Sequence, residues 1–89
     1  MIAQTSREAY KAINPELGEK QRKILEMFAK YPNGATRQEI SRANNEPINS
    51  VTGRSNELLK KGRLMVIGTK IDKISRHRNE VLKVVERIA

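Results

Sequence analysis

Turn-forming residues cut this sequence into pieces that suit short helices followed by a hairpin. Asn14-Pro15, Pro32-Asn33-Gly34, Asn44-Asn45 with Pro47 close behind, and Gly62 each interrupt the hydrophobic pattern. The residue before a proline avoids the helical region, while proline itself suits the first turn of a new helix. The first piece opens on Thr5-Ser6-Arg7-Glu8, the spacing of a capping box, and Tyr10 and Ile13 give it an apolar edge. A second helix starts at Pro15 with Asn14 as its cap, and Leu17, Ile24, Leu25, Phe28 and Tyr31 share one face. It ends at Pro32-Asn33-Gly34.

Thr36-Arg37-Gln38-Glu39 repeats the capping-box spacing and opens a short helix to about Ala43, with Ile40 and Ala43 inward. After Asn44-Asn45, Pro47 begins a longer helix that runs to about Lys61 and stops at Gly62. Lys60 and Lys61 suit the negative end of its dipole. The period then changes. Arg63 to Gly68 reads as a strand, residues 69–79 as a polar, basic loop, and Glu80 to Val85 as a returning strand. Val81, Val84, Val85 and Ile88 also fit a helix face; the strand is preferred because Arg63–Gly68 needs a partner. The expected fold is mainly α with a small β-hairpin (α+β). A chain of 89 residues supports one such domain, over 15–89, with 1–14 as an extension carrying a short helix.

Charge narrows the partners. Eighteen Lys and Arg face ten Asp and Glu, a net +8, and from Arg63 onward seven cations face three acids. Such a field attracts polyanions, with anionic lipid or an acidic protein as competitors to nucleic acid. The longest apolar run, Leu64-Met65-Val66-Ile67, is far too short to span a bilayer. Met1 to Tyr10 lacks the basic-then-apolar order of a secretion signal, and the chain has no cysteine. A cytoplasmic location is therefore expected.

Three stretches carry a family resemblance: Gly34 to Ile40, Pro47 to Thr52, and Glu57-Leu58-Leu59-Lys60-Lys61-Gly62-Arg63-Leu64. Over about residues 15–85 the chain resembles the winged helix-turn-helix family of small bacterial and phage regulators. The resemblance implies the order helix, helix, short strand, helix, helix, strand, wing, strand. It also implies that the second helix of the motif reads the major groove while the wing touches phosphate or the minor groove. A long C-terminal dimerisation helix, present in larger members, is missing here, which leaves the oligomeric state open. If the chain forms a homodimer, Tyr10 and Ile13 are the first candidates for the contact; the alternative is that they fold back on their own core.

A helical wheel over Pro47–Lys61 puts Ile48, Val51, Ser55, Leu58 and Leu59 on the core side. Asn49, Ser50, Gly53, Arg54, Glu57 and Lys60 fall outward, with Thr52 and Asn56 on the flank. Asn and Arg form paired bonds with adenine and guanine edges, and Ser or Thr bonds bases or phosphates. Gly53 costs roughly 1 kcal/mol against alanine inside a helix, so it serves either close approach to the groove or easier packing. Arg37 and Gln38 open the preceding helix, where free N–H groups favour phosphate. Lys70, Lys73, Arg76 and Arg78 are the wing cations, either on DNA or as a solvated loop.

Catalysis is not expected: His77 is the one histidine and sits among cations, without a carboxylate pair or phosphate loop. Neither a cofactor, a metal nor a small-molecule substrate is expected, zinc in particular lacking ligands. Tyr10, Phe28 and Tyr31 are too few for a base-stacking platform. The expected function is binding of double-stranded DNA, as a transcriptional regulator or a recombination or replication accessory factor. The alternative is a winged-helix interaction module for an acidic protein; duplex RNA is the third possibility.

Overall fold

The computed structural model describes residues 17–86. The expected first helix, with Tyr10 and Ile13, lies outside these residues, as does Ile88. The elements run α1 (Glu19–Ala29), β1 (Ala35–Thr36), α2 (Arg37–Asn44), α3 (Ile48–Lys60), β2 (Leu64–Ile71) and β3 (Arg78–Val84). The described residues form a small α+β arrangement: three helices and an antiparallel sheet in the order β1-β3-β2.

Helix α1 starts later than the expected Pro15. Gly18 is extended, and Gln21 Oε1 accepts its N–H at 3.1 Å, so Gly18 rather than Asn14 precedes the first turn. The apolar face is as expected, with Ile24, Leu25 and Phe28 buried and Tyr31 packed at the margin; Met27 joins them. Phe28 is fully enclosed, and burying such a side chain contributes about 1.5–3 kcal/mol.

The capping box at Thr36 forms in both directions. Thr36 Oγ1 accepts the Glu39 N–H at 3.1 Å, and Glu39 Oε1 accepts the Thr36 N–H at 2.9 Å. That cap separates β1 from α2 without a loop between them. Ile40 is fully buried, whereas Ala43 is exposed, contrary to the expected inward face. Ala43 lines an open pocket with Tyr31, Gly34, Glu39, Arg42 and Lys70 instead of reaching the core. Asn45 ends α2 in the left-handed conformation at φ 50°.

Helix α3 buries Val51, Ser55 and Leu58, with Leu59 against the core edge. Gly62, at φ 73°, turns the chain into β2. Leu64 and Leu82 complete the core from the sheet, and Ala35 from β1. Residues 78–84 are extended, which settles the strand-or-helix ambiguity for that stretch: Glu80 opposes Thr69, and Leu82 opposes both Ala35 and Val66.

The hairpin is longer than expected. Its strands extend to Ile71 and back to Arg78, leaving residues 72–77 as the turn. A bulge at Ile67 shifts the register between Val66 and Gly68. Only Leu64 of β2 is buried; from Met65 to Ile71 every residue is exposed. Strand β2 therefore contributes one residue to the core, while β3 keeps Leu82 in it.

Candidate nucleic-acid interface

Four positions of α3 form one uncovered strip. Asn49, Gly53, Asn56 and Lys60 recur at i, i+4, i+7 and i+11, which keeps them on one side of a helix. Asn49, Asn56 and Lys60 are exposed, and a Cβ added at Gly53 would meet nothing within 4 Å. The packing explanation for this glycine is thereby removed. Ser50 and Thr52 are half-buried beside the strip.

The strip is narrower than the wheel suggests, because α1 claims one flank. Gln21 Nε2 donates to Glu57 Oε1 at 2.6 Å, and Lys61 Nζ donates to Gln21 Oε1 at 3.0 Å. Glu57 Oε2 in turn holds Arg54 Nη2 at 2.9 Å. The bond from Gln21, together with Arg54 and against some burial, lowers the Glu57 pKa from its ordinary value. Arg54 is thus drawn along the helix to Glu57, its side chain one-third exposed, instead of standing free on the outer face.

Arg37 is placed differently from a free surface cation. Its side chain is only 17% exposed. Nε donates to Ser55 Oγ at 3.0 Å, Nη2 to Asn56 Oδ1 at 2.7 Å and Nη1 to Glu80 Oε1 at 3.0 Å. One guanidinium thereby joins the start of α2, the middle of α3 and β3. The buried Ser55 hydroxyl is satisfied in both senses, accepting from Arg37 and donating to the Thr52 carbonyl at 3.1 Å. Since Asn56 Oδ1 already accepts from Arg37, Asn56 offers its Nδ2 donor first. Asn49 keeps both halves of its amide. Gln38 is half-buried next to Arg37.

The hairpin turn is organised by Asp72, the one acid between Lys70 and Arg78. Asp72 Oδ2 accepts the N–H groups of Ile74 at 3.1 Å and Ser75 at 2.8 Å. Its backbone N–H donates to the His77 carbonyl, and its carbonyl accepts from Arg76, each at 2.9 Å. Arg76 closes the turn in the left-handed region at φ 63°. Arg42 of α2 grips the Asp72 carboxylate with both terminal nitrogens. Arg42 went unremarked in the sequence because its partner lies thirty residues on.

Of the wing cations, Lys70 is paired with Glu39 at 2.6 Å, and Arg78 donates to Thr69 Oγ1 at 3.0 Å while staying exposed. Burial works against ionisation of Glu39, but its bonds to Lys70 and to the Thr36 N–H outweigh this and leave its pKa lowered. Lys73 and Arg76 are exposed. Arg63, one of the C-terminal cations, is 3% exposed and adds little to the outer field.

No family model, curated protein or solved structure matches the chain. Among the described residues, no three His, Asp or Glu side chains gather as a metal set, and no helix is long and apolar enough to cross a membrane.

The turn carries a pH prediction. The Arg42 bond, followed by the Ser75 N–H, holds the Asp72 pKa well below the usual carboxylate range, against the opposing effect of burial. A depressed folded pKa contributes stability that is complete above the unfolded value, about 3.9, and is lost as pH falls through the folded one. The amide resonances of Ile74 and Ser75 should therefore stay constant from neutral pH down to about 4 and shift only in stronger acid. Asp72→Asn should displace both at neutral pH. An unchanged amide spectrum in that variant would mean the carboxylate does not hold the turn.

Proposed function

We propose that the protein is a winged helix-turn-helix domain that binds double-stranded DNA without chemistry on it. In this reading α3 enters the major groove and the β2–β3 hairpin is the basic wing. From the second expected helix onward, the element order agrees with the one the family resemblance implies. The observation that carries the reading is the continuity of the α3 strip with the hairpin: Arg37 bonds Asn56 on one side and Glu80 on the other.

Within this reading each group has a distinct task. The Asn49 amide can donate to N7 and accept from N6 of an adenine. Gly53 lets the helix backbone approach the base edges. Lys60, Lys73, Arg76 and Arg78 neutralise phosphates, and Ser50 and Thr52 flank the bases. Arg54 reaches a base edge only by exchanging Glu57 for it. Transcriptional regulation and an accessory role in recombination or replication both use such binding.

Selecting bound duplexes from a random pool tests the proposal. Asn49→Ala should then cost about 1–3 kcal/mol and relax the preference at one base pair. Lys60→Ala should weaken all sequences alike. A pool that yields no enriched sequence, with both variants binding like the parent, contradicts it.

A second reading draws on a different observation. Met65, Val66 and Ile67 are 46%, 42% and 45% exposed on β2, an edge strand of the sheet. A winged-helix module for an acidic protein partner would use that edge, and its binding would survive Asn49→Ala.

A further inference from the structure

Among the described residues Ile74 is the most exposed of the large apolar side chains, at 70%, and Ile71 is 52% exposed. Ile74 stands on a turn whose backbone is bonded from inside by Asp72, itself gripped by Arg42. The side chain is thus held out to solvent by a well-bonded scaffold and gains little from the protein's own packing. Cations predominate around it: Glu39 lines the same pocket as Ile74 but is paired with Lys70. Lys73, Arg76 and Arg78 lie on the turn and at its exit, and residues 73–79 contain no acid. The nearest carboxylate, Asp72, is 3% exposed and neutralised by Arg42.

An apolar tip ringed by cations matches a polyanion whose interior is apolar. Stacked bases behind a phosphate rail have that character, and proteins that enter the minor groove insert isoleucine and similar side chains between base steps. Resting on the duplex reading above, we propose that Ile74 is a wedge that enters the minor groove and partly unstacks one base step. Lys73, Arg76 and Arg78 hold the phosphates around it. The wedge bends the duplex and selects steps that unstack easily, TA and CA/TG, at a place where no base edge is hydrogen-bonded. Ile71 packs behind Ile74 against the sugars once the tip is in place. The Asp72–Arg42 anchor matters because a loose turn would fold the side chain away under load.

The test uses the full chain and a selected duplex. An adenine analogue that brightens on unstacking is placed at successive steps, and end labels report the bend by energy transfer. The parent should brighten the analogue at one step and shorten the end-to-end distance. Ile74→Ala should abolish both and lose about tenfold in affinity, close to the transfer free energy of the buried side chain. Its salt dependence should stay that of the parent, since no phosphate contact is removed. Ile74→Leu should retain the signals. The wedge is overturned if Ile74→Ala still brightens and bends the duplex. It is also overturned if that variant loses binding to vesicles of mixed neutral and anionic phospholipid while keeping the duplex, which would make the tip a membrane anchor. A parent that binds no duplex at any salt concentration removes the DNA reading itself, a result separate from loss of bending alone.

Discussion

Replacing Gly34 with alanine is expected to lower the unfolding free energy by about 2–4 kcal/mol, from left-handed strain and overpacking together. Gly34 has φ 94°, and its N–H donates to the Tyr31 carbonyl at 2.8 Å. An added Cβ would lie 2.7 Å from Val81 Cγ1, 2.8 Å from Ile67 Cδ1 and 3.2 Å from the Leu82 carbonyl oxygen. The two methyl groups can move, but the carbonyl belongs to the strand that pairs β1 with β2 and cannot move alone. Gly34 therefore lets α1 turn directly into the sheet beneath the hairpin. Chemical denaturation with matched m-values would measure the loss. A variant as stable as the parent would mean that this turn relaxes freely.

Arg37→Ala is expected to cost about 2–3 kcal/mol, because hydrogen bonds from a charged donor contribute more than neutral ones and Ser55 is fully buried. In a domain of this size that amounts to a fall of about 10–20 °C in melting temperature. Arg37→Lys should recover little of it, since one ammonium cannot span acceptors on α3 and β3 as a planar guanidinium does. Arg37→Ala also removes the guanidinium that bonds both Asn56 and Glu80, so duplex binding should weaken beyond what unfolding explains. A small shift in melting temperature, with binding unchanged, would show Arg37 to be an ordinary surface cation.

These two residues mark where the sequence was and was not legible. Thr36 and Glu39 are three residues apart, and a local bond needs only local spacing, so the α2 cap could be read directly. The same holds for Asn45 and Gly62, whose left-handed backbones end their helices. The apolar stripe of α1 was equally clear, since burial imposes its period. The hairpin length was not, because Thr69, Lys70, Arg78 and Asn79 belong to strands largely outside the core and show no buried alternation. The partners of Arg37, Arg42 and Arg54 were hidden for another reason. A cation on a helix looks outward unless its acid or amide partner is known, and those partners came from other elements or were held by them. Glu57 lies on Arg54's own helix, yet Gln21 of α1 is what turns it from the outer face.

The uncovered strip can be tested at its centre without altering charge. A long side chain at Gly53 has open space around its Cβ, and glutamine is a far better helix former than glycine. Gly53→Gln should leave the protein as stable as the parent or raise its stability by up to about 1 kcal/mol. Its affinity for the selected duplex, measured by titration at one fixed salt concentration, is predicted to fall by at least about tenfold as the side chain blocks the helix from the groove. A variant that folds and binds that duplex as tightly as the parent would show that this face of α3 does not meet DNA.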